Sequence, residues 1–203
     1  SMSLRGKIAI VTGAGRGIGK AIALSLAQEG CNLFLVGRTE RHLKSVEKLV
    51  CRQDIRVLTK RTDVSMEEDV RAAVQEAVQT FGTIDILINN AGILPETIRV
   101  PIAEICSEDW DAVLATNLKG MFLFTKNVLP VMKMKNEGYI LTISSIMGRW
   151  GFTNLSSPYT ASKFGICGLT EALFKEVKDT NIRVSMVCPG MVDTDFQPPS
   201  MKK

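Results

Sequence analysis

The chain has 203 residues, enough for one domain with a proper core and too few for two of ordinary size. Its formal charge of +4 comes from 25 basic and 21 acidic residues interspersed along the sequence, with no basic block beside aromatics, which argues against nucleic acid as a partner. Five cysteines without C-x-x-C spacing fit reduced, packed thiols, and the sole histidine, His42, has no cysteine at ligand spacing, which argues against zinc and makes it an expected helix-surface residue. No apolar run reaches bilayer-spanning length, and the first strand starts too early to leave room for a signal peptide, so a soluble protein of the cytoplasm or an organelle matrix is expected. Ser1 before Met2 resembles a scar of tag removal and is left out of the fold reading.

In chain order, the apolar run 8–11 predicts a first strand and leads directly into Thr12-Gly13-Ala14-Gly15-Arg16-Gly17-Ile18-Gly19, after which 20–27 has helical character. A strand, a glycine turn and a helix form a phosphate cradle, because glycines let the backbone approach an anion and the free N–H groups at the helix start attract it. The spacing is Gly13-x-x-x-Gly17-x-Gly19, with Ile18 where a strict G-x-G-x-x-G would end. Dinucleotide binding is the first reading, with a tight strand-to-helix turn without ligand as the alternative for the loop taken alone. Further strands are predicted at 33–36, 57–58, 84–88, 139–143 and 184–187, nearly continuous in hydrophobicity and separated by helical segments. This pattern predicts an α/β fold, a Rossmann-type doubly wound parallel sheet of six strands with helices on both faces. After the fourth strand, Ser107 is expected to cap a helix with acids in its first turn, and that helix carries Asn117.

After the fifth strand, Ser157 is expected to cap a helix whose first residue is Pro158, which places Tyr159 in the first turn and Lys163 four residues on, along one face. A free phenol titrates near ~10, and a neighbouring ammonium with the positive helix end both favour phenolate. A drop of about three units, roughly 4 kcal/mol, would make Tyr159 a workable general acid. On these two residues alone, a packed ring and a solvated lysine fit as well.

The glycine loop followed by Tyr159-Thr160-Ala161-Ser162-Lys163 resembles the short-chain dehydrogenase/reductase family, classical branch, and within it the 3-oxoacyl-[acyl-carrier-protein] reductases. The resemblance extends along the chain: Asp63-Val64 is similar to the family's adenine-contacting pair, Asn89-Asn90-Ala91-Gly92 to its NNAG turn, Asn117 and Ser145 to its catalytic Asn and Ser, and Pro189-Gly190 with Thr194 to its PG turn and carboxamide-binding Thr. It implies hydride transfer between a nicotinamide and a carbonyl carbon. Tyr159 would protonate the oxygen, Ser145 would hydrogen-bond it, Lys163 would grip the ribose, and Asn117 would hold a water of the proton relay. Gly13, Gly15, Arg16, Gly17, Ile18 and Gly19 would cradle the pyrophosphate, with Asn89, Ala91 and Gly92 passing under the cofactor. Of the two adjacent serines, Ser145 and not Ser144 is expected to face the site, and Asn90 is expected to bond the turn.

At the end of the second strand, where an acid would hydrogen-bond the ribose 2′-OH, stand Gly37 and Arg38; Arg38, with Arg16, suits a 2′-phosphate, so NADPH/NADP+ is the expected cofactor. Family members usually continue for several tens of residues past the PG turn, so residues 2–203 are expected to form one C-terminally truncated domain lacking an edge strand. The implied partners are a small-molecule carbonyl substrate, an acyl carrier protein docking on Lys126, Lys133 and Lys135, and further copies of the chain in a homodimer or homotetramer. An alcohol or hydroxysteroid dehydrogenase and a non-catalytic dinucleotide-binding protein stand as alternatives.

Overall fold

In a computed structural model of the chain, residues 3–51, 54–151 and 156–194 are described. Six strands, β1 (Ile8–Thr12), β2 (Asn32–Gly37), β3 (Val57–Arg61), β4 (Ile86–Asn89), β5 (Gly138–Ile143) and β6 (Ile182–Val187), pair in parallel in the order β3-β2-β1-β4-β5-β6. Between them run α1 (Gly17–Gln28), α2 (Glu40–Val50), α3 (Glu67–Phe81), α4 (Ser107–Leu114), α5 (Gly120–Lys135) and α6 (Ser157–Val177). The expected doubly wound sheet is therefore present. β4 starts two residues later than 84–88 suggested, because Asp85 turns its backbone and carboxylate to the neighbouring strand ends, donating from its N–H to the Ile8 carbonyl and accepting from the Ile8 N–H at 2.8 Å.

Strand side chains alternate between two cores, which is why helices are needed on both faces. Ile10, Phe34, Val36, Leu87 and Ile140 pack on Val70 and Val74 of α3, Phe124 and Val128 of α5, and Leu173 and Val177 of α6. Ala9, Val11, Leu33, Leu35 and Ile88 face the other way, onto Ala23 and Ala27 of α1 and Leu43 and Val46 of α2. On this second face the sheet also walls a groove of about 1170 Å³, where Ile22 and Leu26 of α1 approach Ile88 and Leu141.

Two expected helix caps are displaced by one residue. α4 includes Ser107 as its first residue and takes Cys106 as N-cap, and α6 includes Ser157 and takes Ser156, whose φ of 70° supplies the turn into the helix. Pro158 is consequently the second helical residue and still costs no hydrogen bond there. Asn117 does not lie in a regular α-helix. α4 and α5 are joined by a π turn, Ala115–Lys119, which widens the helix at that residue.

Candidate active site

The order of the sheet reverses between β1 and β4, and the loops after these two strands diverge there to leave a crevice at their carboxyl ends. Thr12, the last residue of β1, closes its base. Its hydroxyl donates to the Ile88 carbonyl at 3.1 Å and accepts from the N–H groups of Asn90 at 2.9 Å and Ala91 at 3.0 Å. The Asn90 carboxamide returns the bond to the carbonyls of Thr12 at 2.9 Å and Gly13 at 3.3 Å, so the turn-bonding role expected of it is observed.

The glycine loop follows. Gly13 and Gly17 have φ of 64° and 53°, in the left-handed region. A Cβ on Gly19 would lie 2.3 Å from the Gly13 carbonyl oxygen. The loop is thus compressed onto the start of α1, whose first turn contains no acid and leaves its N–H groups facing the crevice end.

α6 and the segment after β5 furnish the other end. Tyr159 is buried, with its ring against Ile98 and Val113, and it lines the same cavity as Ser145. Ser145 accepts from the Met147 N–H at 3.1 Å, and this fixes its hydroxyl toward the cleft. Ser144 turns the other way, donating to the Lys163 carbonyl at 3.2 Å, as expected of the non-site serine. Lys163, one helical turn beyond Tyr159, donates from Nζ to the Ile143 carbonyl at 3.1 Å and lies 5.4 Å from the Tyr159 ring centroid.

Burial dominates the ionisation of this pair. It pushes the Tyr159 phenol up to about 12, against the opposing effect of Ser145, and the Lys163 ammonium down to about 8, against the nearby Cys167 and Cys188. The lowered phenol expected from sequence is thus reversed in the free protein, because the ammonium bonds a backbone carbonyl and desolvation outweighs it.

Asn117 is also fully buried, but its carboxamide is occupied. It accepts from the Ile93 N–H at 2.7 Å and donates to the Ile93 carbonyl at 3.0 Å and to Ser162 Oγ at 3.1 Å. The side chain therefore ties the loop after β4 to α6. Asn89 points away from the crevice, donating to Thr125 Oγ1 of α5 at 3.1 Å, while Asn90, Ala91 and Gly92 line it.

The crevice has two joined lobes. A lobe of about 400 Å³ holds Tyr159, Lys163 and Ser145, with Ile18, Pro189, Gly190 and Thr194 opposite. A second, of about 180 Å³, holds Gly15, Arg38 and Val64, together with Thr39, His42 and Thr62. Gly13, Arg16, Ala91 and Gly92 belong to both. The two lobes meet at the glycine loop.

Asp63 is set back from Val64. Burial opposes its ionisation, but the Ser65 hydroxyl and N–H, with Arg38 and Arg61, outweigh that and hold the carboxyl below its ordinary value. His42, expected on the helix surface, lines the second lobe from the first turn of α2, and a Cβ on Gly15 would come within 2.7 Å of the His42 Cβ; its nearness in sequence to Arg38 was the available signal.

Comparison with known proteins agrees with this geometry. The family model described as short chain dehydrogenase matches residues 7–203. The chain is 39% identical over 197 residues to a 3-oxoacyl-[acyl-carrier-protein] reductase of Thermotoga maritima, covering 95% of this chain and 77% of that protein. It is 37% identical over 204 residues to an uncharacterized oxidoreductase of Staphylococcus aureus, covering 98% and 86%. Among solved structures, levodione reductase superposes with a TM-score of 0.90 at 34% identity, covering 97% of this chain and 75% of that one. A short-chain dehydrogenase/reductase of Burkholderia phymatum in complex with NAD superposes with a TM-score of 0.91 at 28% identity, covering 100% and 74%.

The Lys163 shift has a measurable consequence for stability. Its folded pKa lies below the unfolded value, so the unfolded chain binds the extra proton between about pH 8 and 10.5, and stability attributable to this group rises with pH across that window. Lys163→Met, which removes the buried charge, should be more stable than the parent at pH 7, on the order of 1–3 kcal/mol. The gap should narrow as pH is raised through the window. Urea melts at pH 7 and 9.5 check this, and an equally large gap at both would contradict it.

Proposed function

The chain belongs to the short-chain dehydrogenase family of oxidoreductases, and on that premise we propose that it is an NADPH-dependent reductase of ketones, 3-oxoacyl-like in kind, yielding secondary alcohols. The observation that carries this reading is that Tyr159, Ser145 and Lys163 line one lobe of the cleft, with the Lys163 ammonium 5.4 Å from the Tyr159 ring centroid. When bound, NADPH supplies the hydride. The glycine loop, Lys163 and Thr194 would hold it, with Arg38 and Arg16 at its 2′-phosphate.

Burial keeps the Tyr159 phenol protonated across the physiological range, so it stands ready to donate to a carbonyl oxygen placed beside it. Ser145 offers that oxygen a second hydrogen bond, and Lys163 supplies the positive charge nearest the phenolate left behind. Leu94, Ile146 and Met147 give the same lobe apolar walls, which suits an acyl chain or an alicyclic ketone. An alcohol or hydroxysteroid dehydrogenase would use the same groups in the other direction. A purely binding role is disfavoured, since it leaves Ser145, Tyr159 and Lys163 in one lobe without a purpose.

A carrier-protein partner has less support. Lys126 is paired with Glu67 at 2.6 Å, Lys133 with Glu176 at 2.7 Å and Lys135 with Asp85, so the three expected docking cations already have partners within the chain. Substrates in simple thioester or ketone form are therefore the first to screen.

Tyr159→Phe should lower turnover of a ketone by a factor of at least ~10² with NADPH binding nearly intact, whereas Lys163→Ala should impair both. Initial rates of NADPH oxidation with fluorescence titration of the cofactor separate the two effects; near-normal turnover in Tyr159→Phe would remove it from the reaction.

Arg38→Ala should weaken NADPH binding by roughly tenfold or more, the scale of one charge-assisted hydrogen-bond pair, and leave NADH binding almost unchanged. Equal affinities for the two cofactors in the parent chain would instead assign the second lobe to a 2′-OH.

Phe122 of α5 and Phe164 and Phe174 of α6 are exposed, and these are apolar surfaces a second copy would cover. A homodimer or homotetramer is therefore proposed. Light scattering should return at least twice the 22.3 kDa of one chain, and a monomeric mass at all micromolar concentrations would oppose it.

A further inference from the structure

Behind the cleft, on the face of α6 that carries Tyr159 and Lys163, stand two cysteines that the proposed reaction does not use. Cys167 is buried on α6 one turn past Lys163, its Sγ 3.4 Å from Ser144 Oγ. Cys188 directly follows β6 and is half-buried. Its position is fixed on both sides: the Val187 carbonyl accepts from the Ser144 N–H at 2.8 Å, and the Pro189 carbonyl accepts from the Ile146 N–H at 2.9 Å. Ser144 thus touches Cys167 with its hydroxyl and holds the residue before Cys188 with its backbone. Ile143 pairs with Val187 in the parallel register of β5 and β6, so Cys188 stands beside Ser144, the residue whose hydroxyl meets Cys167, and the two cysteines flank that serine. Gly148 completes the enclosure, since a Cβ there would lie 2.9 Å from Cys167 Sγ.

We propose that Cys167 and Cys188 are a dithiol oxidation site, closing reversibly to a disulfide on reaction with a peroxide. The half-buried Cys188 is the thiol a small oxidant reaches, whereas Cys167 is enclosed. Its sulfur attacks one peroxide oxygen, the O–O bond breaks, and a sulfenic acid and one water form. Cys167, on the other side of Ser144, attacks the sulfenic sulfur; the S–O bond breaks, and the hydroxyl leaves as a second water with the Cys167 proton. In sum two thiols lose two electrons and two protons, and the peroxide is reduced to two waters. The bond ties α6, one turn beyond Lys163, to the head of the segment that brings Pro189, Gly190 and Thr194 to the cleft. Cys51 and Cys106, both exposed, serve as internal controls, because accessibility without a facing thiol should leave them singly modified.

The test treats the fully reduced chain with hydrogen peroxide, alkylates with N-ethylmaleimide under denaturing conditions, and maps peptides without reductant. The expected result is a cross-linked Cys167–Cys188 peptide about 2 Da lighter than the two reduced peptides together, returned to separate thiols by dithiothreitol. Cys188→Ala and Cys167→Ala should each abolish it. Cys188 is half-exposed, so its variant keeps the test usable if the buried Cys167→Ala fails to fold. Recovery of both residues as alkylated thiols while Cys51 or Cys106 is oxidised would overturn the proposal. So would Cys188 driven to its sulfinic acid with Cys167 still alkylated.

Discussion

The three hydrogen bonds at the Thr12 hydroxyl are the constraint on which the rest of the site depends. Parallel strands β1 and β4 are in register only through Ile88, after which their backbones must part for a ligand to enter between them. Parting exposes the N–H groups of Asn90 and Ala91 at a depth where water is scarce, and an unmet buried donor costs about 1–3 kcal/mol. One hydroxyl meets both and anchors itself on the Ile88 carbonyl, while the Asn90 carboxamide reaches back to Thr12 and Gly13. The crevice is therefore held open by the groups that its opening would otherwise leave unpaired. The glycine loop inherits its position from this brace, since Gly13 is both bonded by Asn90 and pressed against Gly19.

Much of this was legible from sequence because it is carried by periodicity and by glycine. Six apolar runs separated by helical segments are enough for a doubly wound sheet, and Gly13 and Gly17 mark backbone that other residues avoid. What escaped is of a different kind. Whether Ser156 or Ser157 precedes the first turn of α6 depends on one dihedral angle, and adjacent serines have the same capping chemistry. Asn89 and Asn90 are likewise interchangeable in composition; only strand alternation, continued one residue past the sheet, sends the first to Thr125 and the second to the crevice. The π turn at Asn117 has no compositional mark at all. It is a consequence of joining α4 to α5 while the Asn117 carboxamide stays on Ile93 and Ser162, and of α5 passing so close to the loop after β3 that a Cβ on Gly120 would lie 2.7 Å from Val64.

Helix spacing alone does not set the ionisation of Tyr159 and Lys163. Spacing along a helix shows that two side chains share a face, but not how much water either retains. At four residues' separation an ammonium lowers a phenol only if it points to the oxygen, and here it points to the Ile143 carbonyl beneath the ring. Both groups are then governed by desolvation, which favours their neutral forms and moves their pKa values toward and past each other's ordinary range. A buried lysine in this condition gains from any anion brought near it, whether a phenolate or a ligand group, and that gain is available only when the site is in use.

The second lobe shows the same competition between a resident charge and an incoming one. The missing acid at the end of β2 is a true absence at Gly37 and Arg38, yet an acid does stand close by, Asp63 at the end of β3's connection, near enough for Arg38 to help hold it ionised. Left unpartnered, Asp63 would draw Arg38 away from the crevice and set its own charge against a phosphate. It is instead satisfied first by the Ser65 hydroxyl at 2.7 Å and the Ser65 N–H at 3.0 Å, so the guanidinium interacts with it only through space. Arg38 remains on the wall of the lobe, and the local turn after β3, rather than the absence of an acid alone, leaves its charge available to a ligand.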